Sequence, residues 1–145
     1  MSELVEFYER YIDAFNRGDQ EAFVSFFHLP VTMVHGPGYD QRRAGKPLVV
    51  LTEAERLLAP LPGHWVRSTI DAVVPLDDAF PFEAREGLVE RHEHRAGILA
   101  TVTRWHQDGA PYEHLHVLYL LTRENGKLGI KTLVELASAR RPTDG

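Results

Sequence analysis

The sequence predicts a single α+β domain, with helices gathered at its N-terminal end and a strongly curved, mostly antiparallel sheet after them. Two rhythms carry that reading. Apolar residues recur at helical spacing over residues 4–27, whereas from His64 onward they alternate with polar ones, as in half-buried strands. A third observation fixes the end of the chain. Asn125-Gly126, lying between two alternating runs, is the dipeptide that a tight two-residue hairpin favours. The 145 residues are enough for one core, and no repeat or linker divides them.

Leu4, Phe7 or Tyr8, Tyr11 and Phe15 make one face of a first helix, with Glu3, Glu6, Glu9, Arg10 and Asp13 opposite. Asn16-Arg17-Gly18 stops it, and Asp19 can cap a second short helix carrying Ala22, Phe23, Phe26 and Phe27 before Pro30 ends the helical stretch. Residues 31–34 and 47–51 read as short strands around a glycine-proline turn and a polar loop. Thr52 with Glu55 forms a capping box that opens a third helix, closed by Pro60 and Pro62-Gly63.

Longer strands are expected over residues 64–74, 98–106, 113–123 and 128–136. In the first, Val66, Ile70, Ala72 and Val74 share one face, and Trp65, Arg67, Thr69 and Asp71 the other. Phe15, Phe23, Phe27 and Ile130 are the expected core.

Composition narrows the function classes. A hydrophobic fraction of 43% with 10% aromatics argues against global disorder. The 16 basic residues are outnumbered by 21 acidic ones, giving a net charge of -5. Basic residues cluster only at Arg42-Arg43 with Lys46 and at Arg140-Arg141, so a nucleic-acid partner is not expected. No cysteine is present, which excludes disulfides and thiolate metal sites. The acidic opening stretch is unlike a signal segment, and no apolar run approaches the ~20 residues of a membrane span. A cytoplasmic protein without a membrane partner is expected.

Four stretches carry a family resemblance: YIDAFNRGD at 11–19, EAF at 21–23, PVTMVH at 30–35, and YLLTRENG at 119–126 with Ile130. Together they resemble the nuclear transport factor 2-like superfamily, which includes ketosteroid isomerase and SnoaL-like polyketide cyclases. The resemblance covers nearly the whole chain, with residues 77–95 as an insertion. It implies three helices packed in a cone-shaped sheet around a central pocket. It also places Tyr11 where ketosteroid isomerases carry an oxyanion-hole tyrosine and His35 where they carry an aspartate base. Their second donor, an aspartate, maps to Leu118 or Tyr119, so this chain departs from the isomerase pattern.

The acid-base candidates are therefore Tyr11, His35 and His116. An imidazole can take a proton next to a carbonyl while a phenol stabilises the enolate. His114 and His116 share one strand face, and a gapless hairpin would set Glu135 opposite His116 and Leu133 opposite Leu118. With Leu118 inward, His114 and His116 line the pocket; with Tyr119 inward, they lie outside. The first arrangement is the working expectation, with Phe15, Trp65, His114, Leu118 and Glu135 as ligand-binding residues.

His92-Glu93-His94 and His114-Leu115-His116 suggest metal ligands, but the glutamate of the cupin pattern is missing from residues 95–98. No metal or cofactor is expected. Two functions stay open: an acid-base enzyme of the isomerase, dehydratase or cyclase type acting on a small apolar carbonyl compound, or a non-catalytic ligand-binding or dimer-forming domain. A homodimer through the sheet is expected in either case.

Overall fold

Ser2 opens the first helix, its hydroxyl accepting from the Leu4 N–H at 3.1 Å. The computed structural model of the chain describes residues 2–34, 48–54, 65–76, 85–89 and 95–140. Helix α1 (Glu3–Asn16) places Glu3 and Glu6 in its first turn, where the positive end of the helix dipole favours them. It buries Leu4, Phe7, Tyr8, Tyr11, Ile12 and Ala14. Gly18, at φ 69°, takes the left-handed turn that ends the helix. Asp19 then caps α2 (Gln20–Ser25) by accepting from the Ala22 N–H at 3.1 Å.

Strand β1 (Phe27–Val34) begins earlier than the sequence suggests, and Pro30 lies inside it. The proline has no N–H to give to a ladder, and the pairing of β1 is irregular between Phe27 and Thr32, where that lack is tolerated. The other strands are β2 (Leu48–Leu51), β3 (Trp65–Pro75), β4 (Arg95–His106), β5 (Pro111–Glu124) and β6 (Lys127–Arg140). The described residues hold two helices. The third expected helix falls largely on residues 55–64, and the expected insertion largely on 77–84 and 90–94, outside the described residues.

The six strands form one sheet in the order β2-β1-β6-β5-β4-β3. All neighbours are antiparallel except β1 and β6, which run parallel, so the sheet is mixed. Helix α1 packs on β3 and β4, and α2 on β1. Asn16 fastens α1 to β3 by giving its amide N–H to the Ser68 carbonyl and accepting from the Ser68 N–H, both at 2.8 Å.

The inner face corrects the working expectation. Leu115, Val117, Tyr119 and Leu121 of β5 are buried, with Ile98, Ala100 and Val102 of β4 beside them. Tyr119, not Leu118, points inward, so His114 and His116 lie on the outer face. The cause is hydrophobic: the odd-numbered positions of β5 carry the uninterrupted large apolar set, and the helices cover that side.

The hairpin is not gapless either. Leu121 pairs with Ile130, but Leu120 pairs with Thr132 and His116 with Ala137, because β6 is bulged at two points. Glu135 therefore sits opposite Val117, and Leu133 opposite Tyr119. A bulge at Asp71 likewise turns Val73 inward beside Ile70 and leaves Ala72 exposed. Phe27 and Ile130 are buried as expected, whereas Phe15 and Phe23 are half-buried at the rim.

Candidate functional site

Two regions gather polar chemistry, one on each face of the sheet. On the inner face, Tyr8 and Tyr11 of α1 meet Tyr119 of β5. The Tyr8 and Tyr119 hydroxyls are 3.1 Å apart, and the Tyr11 ring meets that of Tyr119 edge-on at 5.9 Å. Burial pushes all three phenols well above their ordinary pKa, and the neighbouring hydroxyls push Tyr11 and Tyr119 further up. The positive charge of Arg104 opposes the shift at each of them.

Rings enclose Tyr11: Phe23 stacks on it at 5.4 Å, and Phe26, Phe27, Tyr8 and Tyr119 lie within 5.9 Å. The Tyr8 and Tyr119 phenols satisfy each other, which makes the cluster a polar brace for the core. Nearby, the buried Glu113 carboxylate accepts from Arg104 Nη1 at 2.8 Å and from Ser138 Oγ at 2.6 Å.

On the outer face, His114 and His116 project from β5 over the threonines of β4. His116 Nδ1 is 2.8 Å from Thr101 Oγ1, and His114 Nδ1 is 3.0 Å from Thr103 Oγ1. Thr103 donates to Asp71 Oδ2 at 2.7 Å. Beside them, Trp105 Nε1–H donates to Thr69 Oγ1 at 2.8 Å, and the Arg67 guanidinium lies 5.0 Å from the Trp105 ring centre.

An apolar row crosses the same face. Val74 pairs with Leu99, Leu99 with Leu118, and Leu118 with Val134, so four strands each contribute one residue to a straight line. None of the four belongs to the inner core or the partly buried shell packed against it. Val74 is 48% exposed, and Leu120 and Leu136, next to the row, are 44% and 47% exposed. A groove of about 450 Å³ also opens here, lined by Leu120, Thr122 and Thr132 with Arg95, Arg123 and Lys131. Arg123 pairs with Glu3 at 2.7 Å, and Lys131 lies 3.9 Å from Glu124.

The structure thus separates the acid-base candidates. Tyr11 is in the core, His116 is half-buried on the opposite side of the sheet, and His35 lies outside the described residues. Of the ligand-binding candidates, Glu135 is buried facing inward and Phe15 packs at the rim against Phe23. Leu118 and His114 face out, and the Trp65 side chain lies outside the described residues, as does His92-Glu93-His94. As site residues, Tyr8, Glu113 and Asp71 escape the sequence reading. An alternation count over residues 113–121 would have found the inward Glu113, since it shares the phase of Leu115, Val117 and Tyr119.

Comparison with solved structures follows from this topology. A cystatin-like protein of unknown function from Nostoc punctiforme is 12% identical, with a TM-score of 0.60 over 92% of this chain and 86% of its own. A protein of unknown function from Pseudomonas putida, described as nuclear transport factor 2-like, is 8% identical, with a TM-score of 0.61 over 92% and 82%. The fold is nuclear transport factor 2-like.

The association domain of C. elegans CaMKII shares this nuclear transport factor 2-like architecture, at 11% identity and a TM-score of 0.57 over 92% of both chains. No family model matches the sequence, and neither does any curated protein. At these identities the likeness is one of fold, and activity does not travel with it. Among the described residues, no helix is long and apolar enough to cross a membrane.

Proposed function

We propose that this chain is a non-catalytic association domain that forms a homodimer through the outer face of its sheet. The observation that carries the reading is the row Val74-Leu99-Leu118-Val134, an apolar line on the side that α1 and α2 leave uncovered. A contiguous apolar patch on a small domain marks an interaction surface. A row through the middle of a sheet is also self-complementary, as a two-fold interface requires. Four strands about 4.8 Å apart and about ten residues long offer roughly 600 Å² per copy. A pair would bury about 1,200 Å² in total, the lower bound of a specific interface. A neighbour of similar fold bears the name of an association domain, which lends support.

The acid-base alternative is weaker. It needs imidazole and phenol within hydrogen-bond reach of one substrate, and His116 stands across the sheet from Tyr11. That reading then rests on His35 alone.

Leu118→Asp tests the proposal, because it sets a carboxylate in the middle of the row while leaving the inner face untouched. Sedimentation velocity on the variant is expected to give a monomer whose circular dichroism matches the wild type. A folded variant that stays dimeric would overturn the outer-face assignment.

A further inference from the structure

The outer face carries a second device that the apolar row does not use. Thr103 has one hydroxyl proton, and it goes to Asp71 Oδ2 at 2.7 Å, since a carboxylate oxygen can only accept. Toward His114 Nδ1, 3.0 Å away, the same hydroxyl must therefore accept. Nδ1 of His114 carries the hydrogen, and Asp71 Oδ2 lies a further 3.3 Å from it. In the neutral ring this leaves the lone pair on Nε2, which no group among the described residues engages. His116 Nδ1 lies 2.8 Å from Thr101 Oγ1, a hydroxyl that can accept from it as Thr103 does from His114. Residues two apart on a strand share a face, so the two rings stand on one side of the sheet, and His116 offers Nε2 as His114 does when its Nδ1–H points to Thr101.

We propose that His114 and His116 form a two-histidine site for a borderline divalent cation of the Zn²⁺, Ni²⁺ or Cu²⁺ class. Imidazole nitrogen suits these ions, and a ligating histidine is characteristically oriented by a hydrogen bond from its other nitrogen to an oxygen. Thr103 and Thr101 supply those oxygens, and Asp71 behind Thr103 adds negative charge that offsets the cation. Among the described residues no three metal-ligating side chains gather, so the remaining coordination positions are filled from solvent. The site draws its protein ligands from one chain and lies beside the apolar row on the same outer face.

The test is a calorimetric titration of the metal-free protein with zinc chloride. One saturable equivalent per chain is expected. His114→Ala and His116→Ala should each weaken it at least tenfold or abolish it, and His106→Asn should leave it unchanged. Thr103→Val is expected to weaken zinc by about tenfold with the fold intact, and Thr103→Ser to restore it, as for an orienting group behind a ligand. Imidazole ¹⁵N spectra should place zinc on the Nε2 atoms of these two rings. No saturable binding up to about 1 mM, a dissociation constant at the weak limit of affinity, would overturn the proposal. Binding that survives both alanine variants would also overturn it.

Discussion

A phenol taken out of water keeps its proton well beyond the pH at which a free tyrosine loses it. Tyr8, Tyr11 and Tyr119 are all in this state, mainly through burial. The sign of the effect on stability follows from proton counting. Below the ordinary phenol value of about 10 both folded and unfolded chains hold these protons, and stability is indifferent to pH on their account. Above it the unfolded chain releases them and the folded chain does not, so stability falls as pH rises, by up to about 1.4 kcal/mol per pH unit for each tyrosine.

Urea unfolding at successive pH values should show that decline beginning near pH 10. Tyr119→Phe, which removes one of the three protons, should make it shallower. A stability independent of pH up to 11.5 would contradict the buried-cluster account.

At this scale the sequence was half legible. The family resemblance singles out Tyr11, and its burial follows from the helical period. Its partners were not visible, because Tyr119 reaches it only through strand pairing across more than a hundred residues. Leu118 and Tyr119 are also adjacent and both apolar in character, so hydropathy alone leaves their facing open.

Hairpin β5–β6 is the element where that ambiguity arises. The turn at Asn125-Gly126 is where the dipeptide puts it, with both residues at positive φ, 55° and 79°. Strand β5 was close to expectation, because alternation is a strong signal, whereas β6 runs four residues past the expected end at Leu136. The bulges in β6 were not legible, since one extra residue has no compositional mark and still flips every later side chain to the other face. The same holds for Asp71 in β3.

Gly129 belongs to the regular part of this hairpin, and its lack of a side chain has a specific cause. The ring of His28 lies across it, with His28 Nε2 2.8 Å from the Lys127 carbonyl oxygen, and a Cβ at Gly129 would run into that ring. Gly129→Ala should therefore cost about 1–3 kcal/mol, the usual range for forcing an atom into filled space. The cost should shrink sharply in a His28→Ala background, where the obstacle is gone. Equal costs in both backgrounds, in a double-mutant cycle, would show that the contact is not the reason for the glycine.

For the molecule as a whole, two surfaces compete to bury apolar side chains, and among the described residues the helices cover one of them. The inner face is closed by α1 and α2. The outer face retains Val74, Leu99, Leu118 and Val134 in register, with Leu120 and Leu136 beside them. The order of elements and the mixed chemistry of the outer strand face were readable from period and turn signals. The row itself was not, because it depends on the register of four strands at once, and three of the register shifts lie within it or beside it. Histidines 114 and 116, read as pocket residues, belong on this outer surface for the same reason.

Whether that surface is covered by a second copy is the central claim. Static light scattering on the purified chain, followed as it is diluted through the micromolar range, addresses it directly. The account predicts twice the mass of one chain at micromolar concentration, with dissociation only on further dilution. A single-chain mass throughout that range would contradict it.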